Sequence, residues 1–229
     1  VVFPVVAAAS EAAAPLAAGK DFYMGLLNND ERQQVTDAIA AVERDTDAEL
    51  VTVLAERADD YAYIPLLWAG LIALLLPSAL LFFTAAIPVT SFVLAQWGVF
   101  VVLALLFRVP AVTTRLVPKG VRHWRASNLA RRQFLEQNLH HTRDATGMLI
   151  FVSEAERYVE IIADQGISQH VDDHEWQAIV AAFTARVRAD DTLTGFVDCI
   201  RACGDKLRVA VPATHERNEL PNRLVVLDQ

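Results

Sequence analysis

Carboxylates are the polar residues of this chain with the most chemistry to offer. Asp59 and Asp60 follow a stretch that reads as a β-strand, Asp164 ends another, and Asp172, Asp173 and Glu175 precede an amphipathic run. In a sheet whose first and third strands are neighbours, the loops at their ends converge in a crevice, the usual location of sites in α/β folds. Hard oxygen donors gathered there would suit Ca²⁺ or Mg²⁺. The same residues are also natural helix caps, since Asp172 or Asp173 beside "HEW" has the form of an N-cap. Both readings stand, and the chain contains no EF-hand loop to favour the first.

Other reactive types are less suggestive. In "HVDDHEW" the imidazoles of His170 and His174 are four residues apart, a spacing that suits zinc on a helix. The intervening aspartates argue instead for a turn entering a helix, and no glutamate follows the first histidine as in HExxH. Adjacent His140 and His141 do not share a helical face and read as a polar helix end. Cys199 and Cys203, four apart on an amphipathic segment, read as packed, reduced thiols. The alternating acids of "DTDAE" precede their strand, whereas an aspartyl-phosphate nucleophile follows one. Cys203 and Arg208 are separated by four residues, and a thiol phosphate loop needs five. No P-loop, GxSxG elbow or dinucleotide glycine pattern is present. Phosphoester hydrolysis by this chain would need a metal-activated water.

The elements that must position these residues can be read from periodicity. "LLNNDERQQVTDAIAAVERDTDAE" places Val35, Ala38, Ile39 and Val42 on one helical face, with Asn29 or Asp30 as cap. "ELVTVLA" reads as a β-branched strand over 49–54. "SNLARRQFLEQNLHHT" has helical spacing at Leu129, Phe134, Leu135 and Leu139, and "GMLIFVS" over 147–153 is the next strand. In "RYVEIIADQGI", Tyr158, Glu160 and Ile162 alternate with Val159, Ile161 and Ala163, as in a strand with two unlike faces. Two helices follow in "DHEWQAIVAAFTARVRA" and "LTGFVDCIRACGDKLRV", and "NELPNRLVVLDQ" can add an edge strand. A strand, a helix and another strand imply a parallel crossover, hence an α/β sandwich: a small mixed sheet with helices on both faces.

That crossover is interrupted. From Ala62 to Phe107 there is no Asp, Glu, Lys or Arg over 46 residues, enough for two spans of roughly 20 residues each. The expected spans are 65–86 and 91–107, separated near "IPVTS". Pro77 falls inside the first, where Ser78 or a neighbouring helix would compensate for its missing N–H. Trp68 fits an interfacial anchor, and Trp97 is expected to pack on the first helix. The formal charge of −8 is unevenly placed: residues 1–61 carry −8, residues 108–143 carry +7 and residues 144–229 carry −7. Arg108, Arg115, Lys119, Arg122 and Arg125 follow the second span, and the inter-helix turn has no Lys or Arg. The positive-inside rule then puts both flanking pieces in the cytoplasm. "VVFPVVAAAS" admits either a signal remnant or a disordered leader.

The basic stretch, continuing through Arg131 and Arg132 and interleaved with Trp124 and Leu129, suits anionic lipid headgroups. An acidic chain whose one basic patch lies beside the bilayer is a poor candidate for nucleic acid. The expected organisation is a disordered leader over 1–25, a domain split into 26–61 and 108–225 around a transmembrane hairpin at 62–107, and a tail at 226–229.

The order of these segments resembles the TPM domain family, in the version found in bacterial membrane proteins with a two-helix hairpin inserted. The resemblance runs over about residues 26–225 and is carried best by "LIFVSEAERYVEIIAD" and "NELP". It implies an α/β sandwich and diverse functions: some plant members are described as acid phosphatases that bind calcium, others serve photosystem repair or modulate a receptor. Where the family often has a Thr-Ser-Gly-Glu turn, this chain has "TDAE", with Ala48 for glycine. The functional expectation is a non-enzymatic module for assembly or maintenance of another membrane protein in a bacterial inner membrane. The alternative is a divalent-metal-dependent acid phosphatase.

Overall fold

A computed structural model describes residues 5–10, 27–61, 63–83, 88–107, 117–189, 191–214, 220 and 224–227. The chain divides into two compact units, Val1–Ala58 with His123–Gln229, and Asp59–Arg122.

The larger unit is built on a five-stranded mixed sheet: β1 (Val5–Ser10), β2 (Glu49–Ala55), β3 (Gly147–Ser153), β4 (Tyr158–Ala163) and β5 (Leu224–Leu227), in the spatial order β1-β4-β3-β2-β5. β2 runs parallel to both β3 and β5, while β4 is antiparallel to β3 and to β1. The parallel β2–β3 pair, in register from Glu49 beside Gly147 to Ala55 beside Ser153, is the expected crossover. β2 and β3 are buried along their whole length, which accounts for their nearly continuous apolar sequence.

Each face of the sheet has its own core. On one side Leu50, Leu54, Met148, Ile150, Val159 and Ile161 meet helices α1 (Asn29–Glu43), α6 (Asp173–Arg188) and α7 (Thr192–Ala210). On the other, Val51, Val53, Leu149, Phe151, Tyr158 and Ile162 are covered by α4 (Lys119–Glu136) through Ala126, Leu129, Ala130 and Phe134. The expected α/β architecture with helices on both faces is therefore present. α1 buries Val35, Ile39 and Val42, the predicted stripe, but its cap is Asn28 rather than Asn29 or Asp30. A capping box forms there: the Glu31 N–H donates to Asn28 Oδ1 at 2.9 Å and the Asn28 N–H to Glu31 Oε2 at 2.7 Å.

Three expectations are corrected. The leader at 1–25 contains β1, whose backbone pairs with β4 from Val5 to Ser10. The predicted first and third strands, β2 and β4, are not neighbours, because β3 lies between them. α4 starts at Lys119 and absorbs the basic stretch, then stops at Glu136; Leu139–His141 is a separate 3₁₀ turn. That turn packs tightly over the start of β3: a Cβ at Gly147 would come 2.2 Å from the Leu139 carbonyl oxygen. The Ala48 departure in "TDAE" is accommodated because none of its residues has a positive φ.

The smaller unit consists of α2 (Tyr63–Phe83) and α3 (Val89–Leu106), packed on one another, with Tyr61, Ile64 and Val117 buried together. Ala69, Ala73 and Pro77 lie on the buried side of α2 at intervals of four. The Ser78 hydroxyl donates to the Leu74 carbonyl at 2.6 Å, beside the hydrogen bond that Pro77 lacks. α3 is long and apolar enough to cross a membrane, and none of that 18-residue stretch is buried. Trp97 is 64% exposed and stacks edge-on against Phe100 of its own helix. Of the predicted "IPVTS" turn, Ile87 lies outside the described residues, Pro88 is the N-cap residue of α3, and residues 89–91 belong to its first turn.

Candidate functional site

Sheet topology decides the fate of the predicted aspartates. Asp164 follows Ala163, which pairs with Met148 at the beginning of β3. β2 leaves the sheet at Ala55 beside Ser153, at the end of β3. Asp164 thus occupies one end of the sheet, and the strand leading to Asp59 and Asp60 exits at the other, a strand length of roughly 20 Å away. Asp164 caps α5 (Gln165–Ser168), accepting from the Gln165 N–H at 2.7 Å. Asp172 is the N-cap residue of α6, without a capping hydrogen bond, and lies 3.8 Å from His174 Nδ1; Asp173 is in the first turn. Asp59 accepts from the Tyr61 N–H at 3.3 Å, and Asp60 is exposed. Among the described residues no group of three or more His, Cys, Asp or Glu is placed to hold a metal ion. Asp164 and Asp172 thus stand at helix N-termini, and Asp59 closes a local turn.

The histidines and thiols are similarly accounted for. His170 precedes α6 and its Nδ1 is 3.0 Å from the Gly166 carbonyl oxygen, so it is off the helix that carries His174. Cys199 and Cys203 are buried free thiols in the core between α7 and the sheet. The hydrogen bond between them and their burial hold the Cys203 thiol well above its ordinary range.

What the tertiary structure does assemble is a polar cluster beneath α4. Glu160 of β4 is fully enclosed. Ser127 Oγ donates to its Oε1 at 3.2 Å and the Tyr158 hydroxyl to its Oε2 at 3.1 Å. His123 lies against the Tyr158 ring with centroids 5.7 Å apart. His123, Ser127 and Arg131 are spaced by four along α4, so they form one stripe of the helix. Burial raises the Glu160 carboxyl to about 7, opposed by the hydrogen bonds from Tyr158 and Ser127 and by the Arg131 charge. The Tyr158 hydroxyl is raised in turn, first by burial and then by Glu160. Such a group can hold or release a proton near neutrality within an otherwise apolar interface. The alternation of Glu160 with Ile161 showed its face, but the pairing with Ser127 depends on how α4 sits on the sheet.

A second perturbed carboxyl is at the far end of β2. Burial raises Glu43 to about 8, opposed by its bond from the Leu50 N–H at 2.8 Å and reinforced by nearby Glu49. Glu49 is itself buried and accepts from the Leu220 N–H at 3.2 Å. At the β3–β4 turn, Glu156 accepts from the Ser153 hydroxyl and, at 3.0 Å, from the Ala58 N–H, tying the end of the β2 segment to the sheet.

The basic residues have unlike settings. Lys119 and Arg131 are exposed, Arg125 lies 5.1 Å over the exposed Trp124 ring, and Arg132 pairs with Glu136 at 2.8 Å. Arg122 keeps its Nε buried without a hydrogen-bond partner. Arg115 lies outside the described residues.

Comparison with known proteins agrees with this fold. No curated protein matches the chain. A solved structure, described as the NMR structure of the BA42 protein from the psychrophilic bacterium Bizionia argentinensis, is similar with a TM-score of 0.54 at 18% identity, covering 87% of this chain and 94% of that one. The TPM domain model matches residues 112–206, which include α4, β3, β4, α6 and most of α7. Over this segment the chain is similar to the TPM domain.

Proposed function

We propose that the chain is a membrane-anchored TPM-domain protein that works as a non-enzymatic interaction module in the assembly or maintenance of other membrane proteins. The observation that carries this reading is α3, an apolar helix of membrane-spanning length with none of it buried. In water that surface would be a large cost, and lipid is the solvent that removes it. α2 presents Leu66, Leu67, Leu71, Leu74, Leu75 and Leu76 outward in the same way, which supports reading the two helices as a double span. A double span returns the chain to its starting side. The arginines after α3 favour the cytoplasmic face of a bacterial inner membrane for both flanking segments.

Arg115, Lys119, Arg122, Arg125, Arg131 and Arg132, interleaved in the sequence with Trp124, supply positive charge for anionic headgroups at about 1 kcal/mol per basic residue. A non-enzymatic role is favoured because the sequence carries no nucleophile signature for phosphoester hydrolysis. Paired reporters fused after Gln229, one active only in the cytoplasm and one only outside, test the topology: cytoplasmic signal is expected, and external signal would reverse it. Affinity purification from membranes should recover a defined membrane protein. Turnover of a generic phosphoester that is lost on Asp60→Asn or Asp164→Asn would replace this reading with a metal-dependent phosphatase.

A further inference from the structure

We propose that Glu160 and the hydroxyls around it form a proton-responsive latch that sets how firmly α4 is held on the sheet. The latch tightens when Glu160 carries a proton and loosens when it ionises. This is a property of the larger unit and holds whether or not α4 rests on lipid.

The argument begins with what covers the carboxyl. Its side chain emerges on the α4 face of β4, between Tyr158 and Ile162. β3 on one side presents Phe151 opposite it, and β1 on the other contributes backbone pairing at Ala8. The charged and titratable groups facing it are Tyr158 on its own strand and Arg131 on α4, with His123 of α4 reaching Tyr158. α4 is thus the lid over this carboxyl.

That lid is thin where it matters. The buried α4 residues within one turn of Ser127 are Ala126, Leu129 and Ala130, two of them contributing only a methyl group. An ionised carboxylate under such a contact keeps two hydroxyl donors, but the Arg131 charge stands in water and is screened. A protonated carboxyl escapes the desolvation penalty of a charge, although one of its oxygens then donates to the surrounding hydroxyls instead of accepting from them. Lifting α4 hydrates the carboxylate, so ionisation and helix release are linked. The folded value near 7 lies above the ordinary carboxyl value of 4.5, so the latch is tightest below the ordinary value and weakens up to about 7.

The device has a place in the chain as well as a chemistry. α4 begins at Lys119, shortly after the end of α3, and its first turn belongs to the smaller unit while the rest belongs to the sheet. It carries one of the two chain crossings between the units, and Glu160 controls its attachment to the sheet.

Amide hydrogen exchange on the full chain in detergent micelles, corrected for intrinsic rates, tests the latch between pH 5 and 8. The opening constant for α4 peptides should rise towards tenfold per pH unit between about 5 and 7, the limit for release of one proton, while β2 and β3 peptides change less. Glu160→Gln should leave α4 protected with no pH slope. Glu43→Gln should leave the α4 slope intact. Tyr158→Phe, which removes a donor favouring the ionised form, should displace the α4 transition to higher pH, and this keeps the test informative if Glu160→Gln fails to fold. Flat α4 exchange in the natural chain, a slope that survives Glu160→Gln, or a transition unmoved by Tyr158→Phe would overturn the proposal.

Discussion

Glu43 shows how a buried acid contributes, beside Glu160, to the pH response of the sheet unit. Its folded value of about 8 exceeds the ordinary 4.5, so the protonated form is the one the fold favours. Its stabilisation is complete below the ordinary value and disappears as pH rises through 8. We therefore expect the urea midpoint of the chain in micelles to fall between pH 5 and 8. Glu43→Gln should remove on the order of 2 kcal/mol of that dependence, after allowance for solvent screening. Phe134 tests packing in the α4 core without charge: fully buried, it should cost about 3–5 kcal/mol on truncation to alanine, read from the same denaturation curve. Phe134 was legible in the sequence from helical spacing. The strong perturbation of Glu43 was not, because its desolvation comes from chain segments distant in sequence.

Among the elements, the contact of α1 with α7 is the most constrained. Gly204 lies in the middle of α7, where alanine would normally gain about 1 kcal/mol of helix propensity. A Cβ there would come within 2.6 Å of Val42 Cγ2, so the close approach of the two helices accounts for the glycine. Gly204→Ala should destabilise by about 1–3 kcal/mol. Combined with Val42→Ala, which opens space at the contact, Gly204→Ala should become far less costly, and a double-mutant cycle by chemical denaturation reads the coupling. Additive losses would mean that the contact is not the cause. The periodicities of α1, α6, α7, β2, β3 and β4 were all visible in sequence, because amphipathic helices and buried strands write their packing as local patterns. β1 was missed, since "VVAAAS" has small residues and no alternation to mark it as an edge strand.

For the molecule as a whole, the decisive property is the apolar surface of the smaller unit. Val102 of α3 is 64% exposed, and a lysine there would put a charge inside the apolar helix. Val102→Lys should shift the chain from the membrane pellet to the carbonate-soluble or aggregated fraction, whereas the same change at the exposed Val209 of α7 should leave it in the pellet. The sequence by itself determined the apolar double segment, the charge asymmetry around it, the alternation of helix and strand, and the parallel pairing of β2 with β3. All of these follow from composition or short-range periodicity, which burial imposes residue by residue. Only the tertiary structure decided that β3 separates β2 from β4 and that β4 runs antiparallel to it, so Asp164 and the strand leading to Asp59 and Asp60 leave the sheet at opposite ends. It also decided that Glu160 meets Ser127 and Tyr158 beneath α4. Strand order and helix register are settled by contacts across long chain separations, and no local pattern records which distant side chain will cover a buried carboxyl.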